Sequence, residues 1–84
     1  MLYDRRLAAV LGVAAGARIW QKRFDRSGTS VTVSLACVRS PLGCYVRALI
    51  ETPAGARLVK RARCPNMGGV ERVMLELIDE AGVA

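Results

Sequence analysis

The chain has 84 residues, a formal net charge of +6, three cysteines and no histidine. A chain of this length folds as one small domain that buries only about 60–65% of its unfolded surface, which leaves room for a single core and no large cavity. With 52% hydrophobic residues it is too apolar for a disordered segment, and its only aromatics, Tyr3, Trp20, Phe24 and Tyr45, imply a mainly aliphatic core. The lack of histidine removes the usual base for a serine or cysteine nucleophile, and a zinc site would have to recruit Asp or Glu.

The charge is unevenly placed: residues 1–26 hold six bases and two acids, residues 27–65 six bases and one acid, and residues 66–84 one base and four acids. A basic body therefore ends in an acidic segment, and a positive field of this kind attracts phosphate polyanions or acidic protein surfaces. Arginine dominates, with lysine only at Lys22 and Lys60, a bias that a GC-rich genome also produces.

At the N-terminus, Asp4-Arg5-Arg6 precedes an eleven-residue apolar run, Leu7 to Ala17, that closes on Ala15-Gly16-Ala17 in the manner of a signal cleavage site. The run is too short to cross a bilayer, which takes about 20 residues. A surface helix is the expectation, because Tyr3, Leu7, Val10, Leu11 and Ala14 follow helical spacing, with Asp4 as a cap or first-turn acid. Gly12 and Gly16 weaken it, so it should end near Ala15. Val10, Val13, Ala17, Trp20 and Phe24 keep the same period, so residues 17–24 read either as its continuation or, from Ile19 to Phe24, as a strand turned by Asp25-Arg26-Ser27-Gly28.

Thr29 to Val38 alternates strictly, with Val31, Val33, Leu35 and Cys37 on one side and Ser30, Thr32, Ser34 and Ala36 on the other, which describes a half-buried strand. Ser40-Pro41-Leu42-Gly43 turns the chain into a second strand, Cys44–Thr52, where Val46, Ala48 and Ile50 oppose Tyr45, Arg47, Leu49 and Glu51. Pro53-Ala54-Gly55 then returns it as Ala56–Ala62. Connections this short dictate an antiparallel meander. Pro65 closes the last strand and Asn66 can cap a helix whose stripe, Val70, Val73, Met74, Leu77, Ile78 and Ala81, runs to a terminating Gly82. The expected fold is an α+β domain over residues 1–84: an N-terminal helix, a three- or four-stranded antiparallel meander, and a C-terminal amphipathic helix packed on one sheet face.

Cys37, Cys44 and Cys64 lie in no CxxC pair and are expected as free thiols in a reducing, cytoplasmic setting, although a Cys37–Cys44 bridge across a hairpin is sterically open. No P-loop, dinucleotide fingerprint or HExxH motif occurs, so no catalytic residue, metal or cofactor is expected and no membrane span is read. Glu71, Glu76, Asp79 and Glu80 read as a solvated helix face. Trp20 and Phe24 read as core or as a recognition knob.

The surface of interest is the sheet face turned away from the helices. There the alternation places Ser30, Thr32, Ser34, Tyr45, Arg47, Arg57 and Arg61, with Arg63 just beyond and Leu49 and Val59 among them. Hydroxyls, arginines and one aromatic suit phosphate contact and base stacking. The expected function is therefore a non-enzymatic protein docking a nucleic acid or nucleoprotein through Tyr45, Arg47, Arg57, Lys60, Arg61 and Arg63, assisted by Lys22 and Arg23. On this reading, reversing Arg57 and Arg61 together should flatten the salt dependence of binding. The alternative is a protein-binding inhibitor or adaptor of the kind phages and mobile elements encode, anti-CRISPR-like, recognising an acidic protein surface or forming a homodimer in which the basic body of one copy meets the acidic helix of another.

The element order is similar to that of double-stranded RNA-binding domains, and its three-strand-plus-helix core looks like the arm-binding domains of phage integrases. Both resemblances are topological. The lysine cluster that opens the second helix of the RNA-binding family has no counterpart in Gly68-Gly69-Val70-Glu71-Arg72.

Overall fold

The computed structural model describes residues 5–14, 16–61 and 67–82. The elements run α1 (Arg5–Leu11), β1 (Ile19–Arg26), β2 (Thr29–Ser40), β3 (Gly43–Thr52), β4 (Gly55–Arg61), a 3-10 turn (Met67–Gly69) and α2 (Val70–Glu80). The strands form one antiparallel sheet in the order β1-β2-β3-β4, the meander that the short connections require. Residues 19–26 are therefore strand, and the continuous helix to Phe24 is not formed. Tyr3, Asp4, Pro65 and Asn66, with the capping roles expected of the last three, lie outside the described residues.

Helix α1 ends earlier than Ala15 because Gly12, at φ 71, leaves the helical region. Its termination satisfies two carbonyls at once: Gly12 N–H donates to Ala9 O at 3.1 Å and Val13 N–H donates to Ala8 O at 2.9 Å. This is the Schellman arrangement, which needs a residue in the left-handed region just past the helix. A Cβ at position 12 would also stand 3.0 Å from the Arg47 guanidinium carbon. Gly12→Ala is accordingly expected to lower stability by about 1 kcal/mol, read as an earlier urea midpoint with unchanged slope.

The three hairpins are all two-residue turns. Arg26 faces Thr29 across Ser27-Gly28, whose φ values of 52 and 79 match the twist of the flanking strands. Ser40 faces Gly43 across Pro41-Leu42, and Thr52 faces Gly55 across Pro53-Ala54. In the last two, the hydroxyl of Ser40 or Thr52 accepts the N–H of Leu42 or Ala54 and donates to the Gly43 or Gly55 carbonyl. The third turn was expected to hold three residues. Because it holds two, every side chain of β4 changes face, the usual result of a one-residue register difference. Arg57, Val59 and Arg61 therefore share the face of Ile50, Ala48 and Val46, and Leu58 and Lys60 share the face of Leu49 and Arg47.

Both sheet faces are covered in part. Val31, Val33, Leu35, Val46, Ala48 and Ile50 pack with Val70, Met74, Leu77 and Ile78 of α2, and Trp20, Phe24, Cys37 and Val59 lean on the same cluster. Burying the four α2 side chains contributes on the order of 6–10 kcal/mol before chain entropy is counted. On the other face α1 sets Ala8 and Leu11 against Ile19, Ala36 and Leu49. Ser34, expected outside, is fully buried there, and its hydroxyl oxygen accepts a 2.9 Å hydrogen bond from Gln21 Nε2. The face turned away from the helices is thus a face with a helix of its own. No helix among the described residues is long and apolar enough to cross a membrane.

Cys37 is a free, half-buried thiol, whereas Cys44 is disulfide-bonded with a partner outside the described residues. A Cys37–Cys44 bridge is therefore absent, and the expectation of free thiols throughout is corrected at Cys44. The register explains the missing bridge: Cys37 faces Val46 and Cys44 faces Arg39, so the two cysteines are diagonal neighbours, roughly 7 Å or more apart and beyond easy bridging distance.

Candidate nucleic-acid interface

The bases of the edge strands divide between the two faces. On the α2 face, Lys22 Nζ lies 2.6 Å from Glu71 Oε1, Arg26 pairs with Asp79, and Arg61 reaches Glu76 at 2.6 Å and Glu80 at 3.8 Å. The Arg61 Nη1 contact to Glu76 is an ion pair without hydrogen-bond alignment. Arg57 Nη1 donates to the Ala81 carbonyl at 3.2 Å, at the negative end of the α2 dipole. The acids expected as a solvated face are therefore met from both sides, by β1 and by β4. These pairs are largely exposed, each worth about 0–1 kcal/mol, so they orient α2 more than they hold it.

On the α1 face lie Arg23, Tyr45, Arg47 and Lys60. Arg47 faces Lys60 across β3 and β4, and Lys60 Nζ sits 4.3 Å from the centroid of the Tyr45 ring. The Arg47 guanidinium rests over Gly12, at the carbonyl end of α1, where a cation is favoured. The side chains of Arg23 and Arg47 make no hydrogen bond or ion pair among the described residues. Leu58, one row along from the Arg47–Lys60 pair, is 50% exposed. Arg5 and Arg6 are exposed on α1 itself, and Asp25 and Glu51 are the acids on this side.

Of the eight residues expected to bind, the structure brings together Tyr45, Arg47 and Lys60, with Arg23 on the same face at the far edge strand. It sets Lys22, Arg57 and Arg61 on the opposite face against α2, and Arg63 lies outside the described residues. Leu58 was missed as a surface residue and Arg26 as a partner of Asp79. The repeat of Ser40-Pro41-Leu42-Gly43 as Thr52-Pro53-Ala54-Gly55 carried the register signal for both hairpins, and with it the position of Leu58.

Cys37 offers no activated nucleophile: burial pushes its thiol up from 9.0, and the Arg39 guanidinium offsets this only in part. Its labelling by maleimide is expected to be slower than that of a model thiol at neutral pH and to accelerate above pH 9, where the thiolate forms. Among the described residues no group of three or more Cys, Asp or Glu side chains is placed to hold a metal ion.

Fold and surface together define a small α+β domain with one helix on each sheet face. Comparison with protein-family models, curated proteins and solved structures finds no match.

Proposed function

We propose that this chain is a non-enzymatic binding module for a phosphate polyanion, a nucleic acid or nucleoprotein, acting through Arg23, Tyr45, Arg47 and Lys60. The observation that carries this reading is the charge balance around α2. Its four acids are met by three bases, Lys22, Arg26 and Arg61, while Arg57 holds the Ala81 carbonyl, and with these eight groups set aside nine bases and three acids remain in the sequence. The whole excess of +6 therefore lies outside that clamp. On the α1 side, Arg5, Arg6, Arg23, Arg47 and Lys60 outnumber Asp25 and Glu51, and a patch of net positive charge of this kind draws polyanions by counterion release.

Protein purified at roughly 50 mM salt is expected to carry nucleic acid, seen as a raised 260/280 nm absorbance ratio that falls after a wash several-fold saltier. A ratio typical of pure protein at low salt, together with salt-insensitive capture of an acidic protein, contradicts the reading. The exposed Leu58 beside the cations favours that second, protein-binding outcome over a homodimer joined through α2, whose acids already face bases of their own chain.

A further inference from the structure

Resting on that reading, we infer that the α1-face site takes a single strand rather than a duplex. Beside the end of α1 this face carries a strip two strands wide, the half-buried Tyr45 and Arg47 of β3 next to the exposed Leu58 and Lys60 of β4, while Gln21, Arg23 and Asp25 are exposed on β1 at the opposite edge. Neighbouring strands lie about 4.8 Å apart, so the strip is on the order of 10 Å across. Helix α1 borders it, resting on Ile19, Ala36 and Leu49 with its end at Arg47. Reading base edges inside a duplex takes an α-helix or a two-stranded ribbon that enters a groove. Here the ribbon is recessed beside a helix of 10–12 Å diameter. The outward residues of that helix beyond Arg6 are Ala9 and Val10, which carry no hydrogen-bonding group for base edges.

The chemistry along the strip alternates. The Leu58 row comes first, then the Arg47–Lys60 pair, then Tyr45, each step two residues or about 6.8 Å along the strands. Two such steps set the Leu58 and Tyr45 surfaces about 14 Å apart, about four times the 3.4 Å per-strand charge spacing of a stacked duplex, so they suit a strand whose bases are splayed apart. Tyr45 and Leu58 offer a ring and an apolar surface for two bases, and the cation pair between them meets the phosphates. Lys60 Nζ, over the Tyr45 ring in the free protein, moves to a phosphate as a base takes its place. Because stacking accepts every base, the site should show little sequence preference.

The test is fluorescence anisotropy of the intact chain with a labelled oligothymidine of about twelve nucleotides and with a mixed-sequence duplex of the same length, at equal salt. The single strand should bind about tenfold tighter or more. Tyr45→Ala should lose roughly tenfold on the single strand with little change on the duplex, and Tyr45→Phe should retain binding. Leu58→Ser, at an exposed position, gives a second readout in a variant whose fold is undisturbed and should weaken the single strand alone. Equal or tighter duplex binding, or an equal loss on both probes, overturns the inference and leaves the polyanion reading standing. If neither probe binds, both fall.

Discussion

Exchanging Arg47 and Lys60 together for glutamate is expected to weaken polyanion binding on the order of 100-fold at low salt and to lower the salt slope by about 1.4, two contacts at roughly 0.7 each on a single strand. The two side chains face each other across β3 and β4, so the double change turns the centre of the strip from attractive to repulsive. Folding should survive. Reversal removes the Lys60–Tyr45 cation contact, about 0.5–1 kcal/mol, and places an acid at the carbonyl end of α1, about 0.3–1 kcal/mol. A loss of binding accompanied by a cooperative melt close to that of the parent chain is the expected result. Unchanged affinity would remove this face from consideration.

Ile78→Ala should have the largest effect on stability, about 2–5 kcal/mol. Ile78 is fully buried in the cluster that Val31, Val33, Leu35 and Ile50 form with the other α2 anchors. A domain of this size has total stability of only about 4–12 kcal/mol, so the variant should be partly unfolded at ambient temperature. At a urea slope of about 1 kcal/mol per molar, the midpoint should fall by about 2 M or more. Arg61→Ala should move it far less, because that pair is half exposed. If the arginine change costs as much as the isoleucine change, α2 is held by charge and not by packing.

The order of elements was legible because each rests on a local signal: the 3.6 period of Val70 to Ala81, the alternation of Thr29 to Val38, and two Pro-containing turns. Less legible was how these elements face one another. One residue in the third turn decides the face of Arg57, Val59 and Arg61, and the Ser/Thr-Pro-x-Gly repeat that fixes it is a subtler mark than the Pro-Ala-Gly within it. The covering of the second face by α1 also had a trace. Ala48-Leu49-Ile50 is a continuous apolar run, and Leu35-Ala36 another, as strands buried on both sides tend to show. Alternation in the flanking residues of β2 concealed it, because Ser34 reads as polar although it is buried and bonded to Gln21. The acid-rich end of the sequence was correctly separate from the basic body, but its meaning is intramolecular. Lys22, Arg26, Arg57 and Arg61 come to it from strands far away in sequence, and only the register reveals which bases are spent there.

That division of the bases is tested most directly by the salt dependence of oligonucleotide binding for Arg57→Gln/Arg61→Gln, compared with the parent chain over roughly 50–200 mM salt. Both arginines lie on the α2 face, engaged with Glu76, Glu80 and the Ala81 carbonyl, away from Arg47 and Lys60. The slope should stay within about 0.3 of the parent value. A slope lowered by about 1.4, the loss expected from the Arg47 and Lys60 reversal, would contradict the account and return the site to the face of α2.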